Sequence, residues 1–318
     1  MSALVLAAAC VFGVAPAAAQ AGGGAASAAD SVVFRFAWPI GIEAQVQYTH
    51  IIDRQGDTDQ PTHIEIEGEY AMHVHEHDLG ILIEHLDPVS VRYRSSPTLP
   101  PTDPRRILYS TMGVPIADWV VSKEGAFVQI QGLQALTAAV ADAVQKQAPL
   151  ADVDMVIGQL ANQDQLFNTA QERWRNMVTD WIGAALREGE IGGGQGSEAN
   201  PVIPDLQVAY VYEFKLNGME ACAAPGGTCA RVEISQFYDP VALNKTMNDA
   251  LTQMGMAGIS FDGLAQESRV ILLTDPTTLL PYQMDMAKGV QGIVKINGES
   301  RAFRRSDEIS TDYVYTKR

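Results

Sequence analysis

The chain has 318 residues, enough for one large domain or two of ordinary size. It carries 22 Lys and Arg against 38 Asp and Glu, and the formal net charge of -16 excludes broad binding to nucleic acid or to an anionic membrane surface. Hydrophobic residues make up 47% of the sequence, so the chain can build a core. Because no catalytic signature stands out, the sequence favours a non-catalytic protein over an enzyme.

Residues 1–19 predict a secretory signal peptide. An uncharged apolar stretch, too short to span a membrane, precedes the small residues Ala17 and Ala19 of a typical cleavage site. Lipidation at Cys10 is the alternative. Residues 20–30 are predicted to be a flexible leader. We therefore expect a periplasmic or extracellular protein with no transmembrane segment in the mature chain.

Residues 32–94 alternate between apolar and polar side chains, the pattern of half-buried antiparallel strands. A two-residue turn at Leu79–Gly80 makes paired residue numbers sum to 159. That register places Glu67 opposite Arg92 and Glu65 opposite Arg94. A sum of 157 would also put the apolar side chains on one face, so both registers stay open.

The middle of the chain predicts a hairpin turning at Glu124–Gly125 and then two helices, over 133–144 and over 163–187. Aromatic side chains at helical spacing are typical of a core, but they can also line an apolar cavity. The residues predicted to bind a ligand are Phe167, Trp174, Met177 and Trp181. Residues 189–200 predict a flexible glycine-rich loop, because they lack the Lys-Ser/Thr of a phosphate-binding loop.

Strand patterns return after residue 200, with Asn217–Gly218 and Asn297–Gly298 as predicted hairpin turns. Asp239–Pro240 predicts the start of a further helix. Cys222 and Cys229 flank a turn-forming hexapeptide, and in an oxidising compartment we expect a disulfide between them. A redox or metal pair is the rival interpretation, and the spacing disfavours it.

The order of the elements predicts a single α+β domain over residues 31–318. Its core would be a curved, half-barrel-like antiparallel sheet formed from both halves of the chain, with helices from the middle packed on one face. Two smaller α+β domains joined at the glycine-rich segment are the alternative arrangement.

All six histidines lie between positions 50 and 85, and His73, His75 and His77 share one strand face. Neighbours two apart on a strand can converge on one ion, whereas the outer pair is too far apart. A zinc site would therefore use two of the three with Glu84 of the next strand, and its open position could activate water in a metal-dependent hydrolase. A solvated polar face with no metal is the interpretation that the sequence favours, and weak, adventitious metal binding is a third. Zinc is the only cofactor that the sequence suggests.

The segment Leu273-Thr-Asp-Pro-Thr-Thr-Leu-Leu-Pro281, followed by alternating strands, is similar to the C-terminal part of exported bacterial proteins of no known function. In element order and export, the chain resembles the half-open-barrel carriers of lipids and lipoproteins in the bacterial envelope. That resemblance implies an apolar small molecule or lipid as ligand and no catalytic residue. A metal-binding protein and a structural scaffold of the envelope, with an unknown protein partner, are the other hypotheses.

Overall fold

A computed structural model describes the chain from residue 31 onward, with gaps. The described residues are 31–56, 62–86, 90–101, 103, 106, 117–134, 138, 163–199, 207–256 and 258–317. The predicted signal peptide, the leader, Cys10 and most of the helix predicted over 133–144 lie outside these residues.

Strands dominate the part of the chain that the structure describes. They are β1 (Val32–Val33), β2 (Glu43–Gln55), β3 (His63–His77), β4 (Gly80–His85), β5 (Ser90–Ser96), β6 (Asp118–Val121), β7 (Phe127–Gln131), β8 (Ala185–Leu186), β9 (Ile191–Ala199), β10 (Gln207–Ala221), β11 (Thr228–Tyr238), β12 (Ile259–Thr274), β13 (Pro281–Ile296) and β14 (Glu299–Lys317). Two helices are described from end to end, α1 (Gln163–Met177) and α2 (Pro240–Gln253), with a 3-10 turn at Thr179–Trp181. Leu133, Gln134 and Ala138, within the helix predicted over 133–144, are also helical. With so little helix, the predicted α+β class is only approximate.

The two ends of the chain meet in one curved, unclosed antiparallel sheet. Its strand order is β7-β6-β4-β3-β2-β14-β13-β12-β11-β10-β9, and β5 also pairs with β3. Strand β2 from the N-terminal part runs beside β14 from Gln55 opposite Arg304 to Glu43 opposite Lys317. The predicted assembly of one sheet from both halves is thus confirmed, while β1 and β8 form a separate small ribbon.

The alternation of the sequence determines which face of the sheet is covered. Val46, Tyr70 and Tyr313 stand beside one another on β2, β3 and β14, and all three are buried. Successive strand residues point to opposite faces, so every second residue of these strands joins the same core. We call this the inner face, because α1 and α2 pack on it, and the other the outer face.

Both registers considered for the first hairpins occur, one after the other. Glu65 lies 2.9 Å from Arg94 and Glu67 lies 3.5 Å from Arg92, as predicted. The predicted turn position is wrong, because His77 pairs with Gly80 and the turn is Asp78–Leu79. Strand β4 pairs with β3 in the register in which paired residue numbers sum to 157, and it ends at His85. Strand β5 then pairs with β3 in the register that sums to 159, which gives the predicted charge pairs.

The turn predicted at Asn217–Gly218 is also absent from the structure. Strand β10 continues through it with a bulge between Leu216 and Gly218. The chain reverses instead at the hexapeptide between Cys222 and Cys229, which are joined by the predicted disulfide with their Cα atoms 5.7 Å apart. A loop of this size closed by a disulfide stabilises the fold by roughly 2 to 3 kcal/mol.

The glycine-rich segment predicted as a flexible loop is the edge strand β9. Gly192, Gly194 and Gly196 stand opposite the three aromatic residues of β10, Phe214, Tyr212 and Tyr210. The aromatic rings lie over the glycines and occupy the space that a Cβ atom would need at each of them. Glycine here makes room for rings that cover the backbone of the edge strand, which stabilises a strand that propensity alone disfavours.

The helix predicted over 163–187 ends earlier, at Met177. The Trp181 indole donates a hydrogen bond to the carbonyl of Asn176, and Gly183 adopts a φ of 76°. The next residues then pair with the N-terminal segment, where Phe34 donates its N–H to Ala184 and accepts one from Gly183. Pairing with β1 therefore replaces the last turns of the predicted helix.

Other predicted boundaries are confirmed. The Asp239 carboxylate accepts hydrogen bonds from the N–H groups of Val241 and Ala242 and caps α2. Asn297–Gly298 turns β13 into β14. The hairpin around Glu124–Gly125 joins β6 to β7.

Candidate functional site

The inner face of β10 to β14 is arranged in rows that run across the strands. In the first row each side chain is at most 1% exposed and lies directly opposite the next. This buried row is Leu216, Val232, Leu272, Met284 and Thr311. Helix α1 contacts it where Arg173 donates a hydrogen bond of 3.0 Å to the Thr311 hydroxyl.

The second row is apolar but incompletely covered. Four of its five members are half-buried, and Val270 between them is buried. We call the set the apolar row: Phe214, Ile234, Val270, Met286 and Ile309. At a strand spacing of about 4.8 Å, it extends about 19 Å without a polar interruption.

The third row is polar, and we call it the polar row. It consists of Tyr212, Gln236, Ser268, Lys288 and Asp307, all half-buried. The Ser268 hydroxyl donates to the Gln236 side chain at 3.0 Å, and Arg305 donates two hydrogen bonds to Asp307. An apolar strip and a polar strip therefore lie side by side on the inner face.

The charges of the polar row have identifiable partners. Burial would raise the pKa of Asp307, but the hydrogen bonds and charge of Arg305, together with His50 at 3.4 Å, outweigh it and hold that pKa well below its ordinary value. Burial raises the pKa of Glu172 on α1, against the opposing influence of Lys288 and Arg175. Lys288 thus places a positive charge at the boundary with the apolar row, in a protein whose net charge is -16.

Helix α2 is held over the far end of this face by two asparagines one turn apart. Strand β12 has a bulge between Asp262 and Ala265, where the regular hydrogen bonding to the neighbouring strand is interrupted. Asn244 bonds both the N–H and the C=O of Leu264, and Asn248 bonds both of those groups of Phe261. The apolar and polar rows between α1 and α2 are together called the inner trough.

The predicted ligand-binding residues of α1 and the 3-10 turn pack instead against the protein itself. Trp174, Met177 and Trp181 are at most 1% exposed. Half-buried Phe167 contacts the Phe127 ring with centroids 5.3 Å apart. A ligand-binding role for these four remains a prediction, and the structure surrounds the three buried ones with core.

Three of the four predicted metal ligands converge on the outer face. Glu84 stands directly opposite His73, and His75 Nε2 lies 3.1 Å from a Glu84 carboxylate oxygen. One ligand atom from each of these three residues lies within 4.8 Å of the others. His77 is held elsewhere, with Nδ1 accepting from the Leu79 N–H and Nε2 lying 2.9 Å from the Gln131 side-chain amide.

The remaining histidines have their own partners. His63 lies 2.8 Å from Asp53 on the outer face. On the inner face His50 lies 3.4 Å from Asp307, and His85 is buried beside the rings of Trp119 and Tyr70. The cluster seen in the sequence is therefore divided between the two faces.

Sequence reasoning missed the inner trough. Alternation within each strand marks Phe214, Ile234, Met286 and Ile309 as inner-face residues, so part of the signal was present. Their alignment into one row depends on the register of five strands, and the bulges of β10 and β12 shift that register.

Comparisons with known proteins give no family. No family model matches the chain, and no curated protein matches it. One similar solved structure concerns lipid–protein interactions in lipovitellin, with 10% identity, a TM-score of 0.41 and 87% of this chain covered. The chain spans only 25% of the length of lipovitellin.

Two further similar structures are those of Pseudomonas aeruginosa OccK5 (OpdH) and OccK11 (OpdR). OccK5 is 9% identical, and the match covers 87% of this chain and 99% of OccK5. OccK11 is 11% identical, and the match covers 90% of this chain and 100% of OccK11. TM-scores of 0.19 and 0.20 are too low to establish a shared fold, so no residue role is carried over. Among the described residues, no helix has the length and apolar character needed to cross a membrane.

Proposed function

We propose that the protein is an exported protein of the periplasm or extracellular side that binds a fatty acid or a similar single-chain lipid in the inner trough. The observation that carries the proposal is the apolar row beside Lys288. Half-buried apolar side chains in an unbroken row leave apolar surface for a ligand to cover, which is favourable at about 25 cal/mol per Å². The row of about 19 Å is comparable to a long acyl chain.

Lys288 supplies the polar end of this arrangement. Lys288 stands on the inner face two residues from Met286, and its charge also acts on the Glu172 carboxyl of α1. A ligand carboxylate whose chain lies along the apolar row would therefore pair with Lys288 alongside Glu172. Asp307 in the same row is already paired with Arg305 and His50, which limits its repulsion of an anionic ligand. The geometry therefore favours a ligand with one apolar chain and one negative end.

Saturable binding of a fluorescent fatty acid to the tagless protein tests this function. Ile234→Gln is expected to weaken binding about tenfold or more, because it places an amide in the apolar row. Val211→Gln is the matched control, since Val211 is an apolar residue of β10 that is 44% exposed on the outer face. Absence of saturable binding, or equal losses in the two variants, would contradict the proposal.

Lys288→Met separates the polar contact from the apolar one. This variant should lose affinity for the fluorescent fatty acid by about fivefold to tenfold while binding the corresponding fatty alcohol as the parent protein does. Equal loss for both ligands would show that Lys288 acts on the fold and not on the carboxylate.

A further inference from the structure

The outer face carries a second arrangement of side chains, independent of the inner trough. His73 and His75 project from β3 on the same side, and Glu84 projects from β4 directly opposite His73. His75 and Glu84 are 49% and 38% exposed in their side chains, so an ion could reach them from solvent. We propose that these three residues form a Zn²⁺ site that joins β3 to β4, with water as the fourth ligand.

The separations between the three ligand atoms suit a Zn²⁺ ion once these atoms move slightly closer together. Ligand atoms about 2.0 to 2.2 Å from a tetrahedral Zn²⁺ lie about 3.3 Å from one another. His75 Nε2 and the Glu84 oxygen are already 3.1 Å apart, and the largest separation in the set is no more than 4.8 Å. The longer separations are therefore those to His73, and rotation of the His73 and His75 rings can supply the remaining movement while the paired strands hold the backbone in place.

The donor set selects the kind of metal. Two imidazole nitrogens and one carboxylate oxygen suit Zn²⁺ and disfavour Mg²⁺ and Ca²⁺, which prefer oxygen ligands. Glu43 of β2 also stands directly opposite His73 and on the same face. A carboxylate beside a ligating imidazole is a common outer-shell partner that orients the ring.

The neighbouring histidines limit the site to these three residues. His77 bonds Leu79 and Gln131, and His63 bonds Asp53, so both are held away from the cluster. His63 lies on the same strand and face as His73 and His75, which makes it a matched control.

Zinc titration of the full chain, purified without a histidine tag and stripped of metal with a chelator, tests the site. The parent protein should bind about one equivalent of Zn²⁺, and Zn²⁺ should raise its Tm, because the ion binds only the folded pairing of β3 with β4. His75→Ala and Glu84→Gln should each weaken binding by about tenfold or more and abolish the rise in Tm. His63→Ala should leave both unchanged.

Two further measurements test whether the variants remain folded and whether the metal is four-coordinate. The metal-free variants should unfold at the same temperature as the metal-free parent, since the side chains of His75 and Glu84 are partly exposed. Bound Co²⁺ should show the visible absorption of a four-coordinate site with nitrogen and oxygen ligands. Less than about 0.1 equivalent of Zn²⁺ in the parent, or a loss in His63→Ala equal to that in His75→Ala, would overturn the proposal.

Discussion

Trp174→Ala is expected to lower the free energy of unfolding by about 3 to 5 kcal/mol. The Trp174 ring is fully buried, with its centroid 5.2 Å from that of Trp38 and 6.2 Å from that of Trp119. Its indole N–H donates a 2.8 Å hydrogen bond to the Gly125 carbonyl. The substitution removes the contacts of this ring with the N-terminal segment and with the β6–β7 hairpin, and it leaves a cavity.

Denaturant unfolding followed by circular dichroism measures this loss. Phe167→Ala is the control, because Phe167 lies on the same helix but is only half-buried. It should cost about 1 to 2 kcal/mol, since part of its surface is already in water. If Trp174→Ala costs less than the Phe167 variant, α1 does not pack on the inner face as described.

Acidification from pH 8 to pH 5 is expected to lower the free energy of unfolding by about 2 kcal/mol through His85 alone. Burial, with a smaller contribution from the Arg173 charge, lowers the pKa of His85 to about 3, although a backbone hydrogen bond with Ala117 opposes the shift. Between this value and the ordinary pKa near 6.5, the unfolded chain binds a proton that the folded protein does not. Stability attributable to His85 is therefore fully present above about pH 6.5 and falls as the pH is lowered toward 3.

His85→Phe isolates this contribution. Phenylalanine keeps the ring between Tyr70 and Trp119 and cannot titrate. Between pH 8 and pH 5, the free energy of unfolding of the parent should fall by about 2 kcal/mol more than that of the variant. A difference that does not change with pH would show that His85 can be protonated in the folded protein.

Local sequence patterns predicted the strands well and their partners only in part. Asn297–Gly298 adopts positive φ values of 51° and 89° and makes the predicted hairpin. The same dipeptide at Asn217–Gly218 lies inside β10, because the disulfide-closed loop a few residues later turns the chain instead. Local sequence cannot tell which of two nearby turn signals the chain uses.

The glycine-rich strand shows a second limit of sequence reasoning. Period-two alternation needs side chains, and Gly192, Gly194 and Gly196 have none. Their role is visible only once Tyr212 and Phe214 are known to stand opposite them. The candidate sites divide in the same way: His73, His75 and Glu84 could be found from spacing on adjacent strands, whereas the inner trough required the register of five strands.

The inner trough depends on the sheet that both ends of the chain build, and one cross-link tests that sheet directly. Gln45 on β2 and Val314 on β14 stand opposite each other, at a separation that antiparallel pairing and a disulfide both allow. In a chain with Cys10→Ser, Gln45→Cys with Val314→Cys should oxidise to an intramolecular disulfide, identified by mass spectrometry of non-reduced peptides. Gln45→Cys with Val211→Cys should not, because five strand spacings, about 24 Å, separate β2 from β10. Failure of the first pair to oxidise, or equal oxidation of both pairs, would contradict a single sheet shared by the two ends.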